Sequence, residues 1–158
     1  MAKTGKSYVN ITPGLQGAGQ PEVRYINESS SMSGLRGAPV VNTAGNITEL
    51  AANGVLIYGF LAEAGNSASA TGLNDIGIYR ARLGTQFAGT LKATLTAAMI
   101  GSIANLVKGS STWYLDTSTS ISSVAQVYIE DVAEGFEIGD TQPIVYFTLI
   151  QSMIEETA

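Results

Sequence analysis

From about residue 47 onward, apolar residues come in short runs of four to nine, spaced eight to fifteen residues apart and separated by glycine- and serine-rich breaks. Runs of that length are too short for packed helices, and such spacing is the pattern of a small barrel or sandwich. The segments are Val55–Leu61, Ile76–Arg82, Gln86–Lys92, Asn105–Lys108, Thr112–Leu115, Val124–Val132 and Ile144–Ile150. Two of them alternate. Ile76, Ile78, Arg80 and Arg82 share one side, against Tyr79 and Ala81. In the other, Val124, Gln126, Tyr128 and Glu130 oppose Ala125, Val127, Ile129 and Asp131. Asn53-Gly54 reads as a tight turn before the first run, and Pro143 sits where the last one starts, where a missing amide costs least. One short helix is expected, with Thr96 as N-cap and Ala97–Ile100 as its body before Gly101. The fold class expected is all-β, a small β-barrel or sandwich over residues 48–158.

The preceding residues have another texture. Residues 1–48 hold seven glycines, three prolines and five serines, with no sustained period of 2 or 3.6. The expectation is an extended N-terminal arm over residues 1–47, not a domain. Ordering a residue costs about 1–2 kcal/mol of backbone entropy, which a thin arm cannot recover by packing on itself. Its apolar residues stand singly, like pegs along a strap: Tyr8, Val9, Ile11, Leu15, Val23, Tyr25, Ile26, Leu35, Val40 and Val41. They are the candidate partner-contacting residues.

Composition narrows the chemistry. The chain has no histidine and no cysteine. That excludes a Ser-His-Asp triad, a histidine general base, thiolate or imidazole metal ligands and a disulfide framework. Gly5-Lys6-Ser7 lacks the upstream glycine and strand of a phosphate-binding loop, and Gly14–Gly19 leads to Pro21 rather than a helix. The acids Glu130, Asp131, Glu134, Glu137 and Asp140 crowd around Gly135 and Gly139, as in a solvated loop, rather than converging from separate segments as catalytic pairs do. Trp113 and Tyr114 allow a glycan-stacking reading, against a core tryptophan with a rim tyrosine. The reading leads to no catalytic residue, no cofactor and no metal.

Net charge is −5 and unevenly spread. Residues 1–92 carry seven Lys/Arg against five acids, and residues 93–158 carry Lys108 against eight. No basic cluster suits nucleic acid or an anionic membrane. The polarity could instead orient one copy against another, or against a basic protein surface. The N-terminal residues MAKTGKSYVNITPG lack the apolar stretch of a signal peptide, so synthesis in a reducing cytoplasm is expected.

The order of segments over residues 54–150 resembles the small decoration (head-stabilising, or cement) proteins of tailed bacteriophages. The matching pieces are Gly54–Ala64, the Ile78-Tyr79-Arg80-Ala81 strand, the small turn segment Ala97–Leu106, and Thr112-Trp113-Tyr114-Leu115-Asp116-Thr117-Ser118. An apolar strand at Val124–Val132 and a closing one at Ile144–Thr148 complete the order. Trp113, Tyr114 and Asp116, with Tyr79 and Arg80, carry most of the likeness. The long N-terminal arm departs from the pattern. The resemblance implies a structural virion protein on the capsid exterior, bound at junctions of the major capsid protein, often as a homotrimer. A tail or baseplate component is the alternative.

Overall fold

The structure is a computed structural model that describes residues 12–13, 22–29, 32, 34–51, 54–65, 74–109, 112–118 and 125–155. In chain order the strands are β1 (Thr12–Pro13), β2 (Val23–Glu28), β3 (Pro39–Thr43), β4 (Asn46–Glu49), β5 (Gly59–Leu61), β6 (Asp75–Arg80), β7 (Gln86–Thr90), β8 (Ile103–Lys108), β9 (Trp113–Asp116), β10 (Gln126–Val132) and β11 (Ile144–Leu149). The all-β class read from the sequence holds.

Five strands close into a barrel in the order β2-β4-β3-β5-β6. Closure gives every barrel strand a partner on each side, which shortens the exposed edges that usually template aggregation. It depends on a parallel pair, β2 with β4, joined at Asn27–Asn46 and Glu28–Ile47. It also depends on Gly59, where any side chain would press into the Tyr79 carbonyl oxygen. The other six strands form a sheet ordered β1-β7-β11-β10-β8-β9. This sheet curls so that the chain just past β7 reaches β9, where the Lys92 amide donates to the Leu115 carbonyl at 2.8 Å. β1 pairs with β7 at Thr12–Ala88 and Pro13–Phe87.

Barrel and sheet share one core. Phe60 of β5 stands 4.6 Å from the Phe87 ring and 6.1 Å from that of Phe147, both on the inner face of the sheet. Glu49 of β4 accepts from Trp113 Nε1 at 3.0 Å and from Lys108 Nζ at 2.8 Å. After β11 the chain makes a 3₁₀ turn, Gln151–Met153, and returns to the barrel. There Ile57 donates to the Met153 carbonyl at 2.8 Å and accepts from the Glu155 amide at 2.9 Å.

The arm expected through residue 47 is corrected over its described part. β2, β3 and the first half of β4 fall inside it, and they are barrel wall. Val40 and Ile47 are wholly buried in the core, so Val40 is not a capsid peg. The expected helix is a single 3₁₀ turn, Ala97–Met99, and the Thr96 side chain makes no capping bond. Of the apolar run 55–61, Val55 and Leu56 are exposed and only Gly59–Leu61 is strand. Asn53 of the expected turn lies outside the described residues. Because Phe60 joins barrel to sheet, Phe60→Ala should cost about 3–5 kcal/mol by analogy with other buried phenylalanines. For a chain this size that means a melting temperature lower by roughly 10 °C, read by scanning calorimetry.

Candidate interaction surfaces

The alternation that sets Arg80 beside Ile76 and Ile78 sends all three inward, and Arg80 is only 1% exposed. Its guanidinium donates to the carbonyls of Tyr58 at 2.5 Å, Ala81 at 3.0 Å and Glu155, and lies 3.9 Å above the Tyr58 ring. Burial pushes its pKa below the ordinary arginine value. These partners make it a structural brace, not a surface group. Trp113 is likewise buried, 2% exposed and bonded to Glu49, so a ring is not presented there for a sugar to stack on. Tyr114 is half-buried, with Lys92 Nζ 5.3 Å from its ring. The two line a cleft of about 110 Å³ with Thr90, Leu91 and Gln142. Small-molecule sites usually offer roughly 300–1,000 Å³, so the cleft is too small for one.

Asp116 is buried and ordered from two sides. It accepts from the Ser118 amide at 2.8 Å and hydroxyl at 2.6 Å, and lies 3.6 Å from Lys92 Nζ. Burial alone would raise its pKa, but the Ser118 bonds and Lys92 outweigh it and hold the carboxyl below its usual value. Asp140, read from sequence as part of a solvated loop, is fully buried and accepts from the Glu137 amide at 2.9 Å, tying that loop down. Among the described residues no group of three or more acids is placed to hold a metal ion. No helix among them is long and apolar enough to cross a membrane.

What stands out instead is apolar surface facing solvent. β2 runs against the usual sorting: Val23 (46% exposed) and Tyr25 (72%) face outward, whereas Glu28 points inward and is buried. Val23 lies opposite Tyr79, and Tyr79 opposite Phe60. One cross-strand row therefore passes from solvent through a half-buried tyrosine into the core. Tyr25 lies opposite Gly77, where an added Cβ would meet its ring at 3.3 Å. The bare glycine thus makes room for the tyrosine ring. At the Val23 end, Arg36 Nη2 reaches the Tyr79 hydroxyl at 3.5 Å. Glu22 there is shared by Arg24 and Arg82, whose hydrogen bonds, Arg24's first, hold its carboxyl below the usual range. Leu35, next to Arg36, is also exposed.

A second such surface lies on the outer face of the sheet. Tyr128 and Ile103 are directly paired across β10 and β8, 42% and 41% exposed. The register of β10 slips between Ile129 and Asp131. That bulge turns Asp131 outward, where alternation places it on the inner side with Ile129. Glu130 stands beside it, accepting from the Thr148 hydroxyl at 2.6 Å.

Of the candidate contact residues, Val23, Tyr25 and Leu35 are at the surface, Ile26 is half-buried against the core, and Val40 is internal. Tyr8, Val9, Ile11 and Leu15 lie outside the described residues. The Ile103–Tyr128 pair escapes sequence reasoning, because a tyrosine inside a strand run reads as structural and the spacing starts β8 two residues late, at Asn105. Comparison of the chain with protein-family models, with curated proteins and with solved structures finds no match in any of the three.

The lowered Asp116 pKa fixes a sign. The folded value lies below that of the unfolded chain, so its stabilisation is complete above about pH 4 and fades as pH falls through the folded value. Asp116→Asn should lower the melting temperature at pH 7 by a few degrees, on the order of 1–2 kcal/mol for charge-assisted bonds. The gap from wild type should narrow below about pH 3.5 in thermal melts across pH.

Proposed function

We propose that this chain is a structural virion protein that binds the outer capsid surface at major-capsid-protein junctions and stabilises the mature phage head. The observation that carries the reading is the Val23–Tyr79–Phe60 row, an apolar strand face that leaves the core and continues into solvent beside Tyr25 and Arg36. Tyrosine and arginine are the residues enriched where proteins bury surface against proteins. The segment order resembling head decoration proteins supports the choice of partner, and the N-terminal residues with Tyr8, Val9 and Ile11 supply a strap to lie across neighbouring subunits. Mechanically, each bound copy adds buried area across a subunit boundary, and many copies multiply the resistance to internal DNA pressure. A glycan-binding role is less well supported, since Trp113 is buried.

The barrel wall begins at β2, so a truncation that tests the strap must stop well before residue 22. Full-length protein added to undecorated tailed-phage heads should give regular density over capsid junctions by cryo-electron microscopy, at hundreds of copies per particle. A chain lacking residues 1–11 should melt within about 2 °C of wild type yet bind those heads at least roughly tenfold more weakly, since ordering and contact of the strap are lost together. Density confined to one vertex, at six to a few dozen copies, would move the assignment to a tail or baseplate part.

A further inference from the structure

The N-terminal segment is rooted on the sheet, not on the barrel. β1 runs antiparallel to β7, with Thr12 opposite Ala88 and Pro13 opposite Phe87. Phe87 faces the core, so Ala88 and the Thr12 opposite it stand on the outer face, where Ala88 packs with Tyr146 and Ala133. Followed backward from Thr12, the chain therefore leaves β1 in the direction of Thr90 and Lys92. Residues 1–11 themselves lie outside the described residues.

The cleft lined by Thr90, Leu91, Lys92, Tyr114 and Gln142 begins two residues along that line, about 7 Å at about 3.4 Å per residue. Its volume of about 110 Å³, too small for a ligand, is room for one side chain. Tyr114 forms a fixed wall. Its ring lies so close to Gly109 that an added Cβ would meet it at 3.1 Å, and Lys92 Nζ stands 5.3 Å from its centre. Past the cleft, the Leu95 amide donates to the Asp140 carbonyl and the Gly139 amide to the Leu95 carbonyl, both at 2.9 Å. The loop so held presents Glu134 and Glu137, both exposed and neither in an ion pair among the described residues.

The chain before β1 matches this surface in kind. Residues 1–11 carry Lys3 and Lys6 and no acid. Alternation from Thr12 assigns Asn10 and Tyr8 to the outer side, level with Thr90 and Lys92. The edge of β7 is not open that far, because β9 takes it where the Lys92 amide donates to the Leu115 carbonyl. A chain on this line must pass over the outer face of β9, which there is Tyr114. We infer that residues 6–11 fold back on the sheet of their own chain, with Tyr8 seated in the cleft against Tyr114 and Lys92 and with Lys6 facing Glu137. Lys92 does not repel the incoming segment, since Asp116 meets its charge at 3.6 Å and a cation is a favourable neighbour for a second aromatic face. The strap is thus carried parked, its pegs covered until a partner draws them off. One seated ring and a solvent-exposed ion pair hold it reversibly.

The test is nuclear magnetic resonance on the isotopically labelled full-length chain in dilute, low-salt solution. No phage head enters it, so its failure would leave the capsid reading where it stands. Tyr8 ring protons should show contacts to Tyr114 and Lys92, and the amides of residues 8–11 should be as rigid on the nanosecond scale as those of the strands. Trypsin should cut after Lys6 at least roughly tenfold faster in Tyr8→Ala than in wild type, each rate taken relative to a free peptide of the same sequence, while the thermal melt stays in place. Glu137→Lys or added salt should raise the wild-type rate in the same direction. A segment that moves freely in wild type would overturn the inference, as would Tyr8 contacts to any other surface or equal cleavage of the two chains. Contacts seen only between differently labelled copies in a mixed sample would overturn it too, since the cleft would then hold another molecule's segment.

Discussion

A buried guanidinium bound to main-chain carbonyls sits where the barrel meets the returning chain. Moving a charge out of water is costly unless its hydrogen-bonding capacity is met, and Arg80 offsets much of that cost with main-chain carbonyls and the face of Tyr58. Only arginine suits this role. Its planar fork reaches several acceptors in fixed directions, whereas a lysine ammonium is a single point on a flexible stem. The acceptors come from beside β5, from the end of β6 and from residue 155. One side chain therefore sets the spacing of three chain segments. Glu155 extends the brace by accepting from the Asn42 amide of β3 at 3.1 Å.

With every barrel strand partnered on both sides and the chain past β7 held to β9 at Leu91 and Leu115, the described molecule offers few free strand edges for a partner to extend. Recognition must then run through strand faces, side chain against side chain. This explains why Tyr25 tolerates so much exposure. Its ring sits opposite Gly77, where no side chain competes for the space, so the exposed aromatic is shelved rather than free to swing. A rigid aromatic loses little entropy when a partner covers it, the condition under which a small patch contributes usefully to binding.

Alternation along a single strand is legible in the sequence wherever a strand has five or more residues and a consistent inner face. Ile76 and Ile78, like Ala125, Val127 and Ile129, point inward as their spacing demands, and even the inward turn of Arg80 follows from its period. Residues 23–49 are not legible as barrel. Their strands are four to six residues long, divided by glycine and serine, and β2 pairs with β4 in parallel, a partnership between segments that no local signal announces. β2 also inverts the pattern, exposing Val23 and Tyr25 while hiding Glu28, so hydrophobicity alone points its faces the wrong way. The bulge at Glu130 escapes for a similar reason. It is a property of pairing with β11, and only the register displays that Asp131 has changed sides.

The return of the chain to Ile57 and Arg80 imposes an order of events on biosynthesis. The barrel is encoded almost entirely before residue 82, yet two of its fastenings, the Ile57 bridge and the third carbonyl on Arg80, arrive with residues 153–155. On a translating ribosome the first half emerges well ahead of the residues that fasten it. Until then a cation meant for the interior lacks one of its acceptors, and for most of that time Phe60 has the Phe87 ring but not that of Phe147. Such long sequence separations slow folding, because loop entropy is lost before the contacts return it. The barrel's last fastenings are therefore also the last of the described residues to be made.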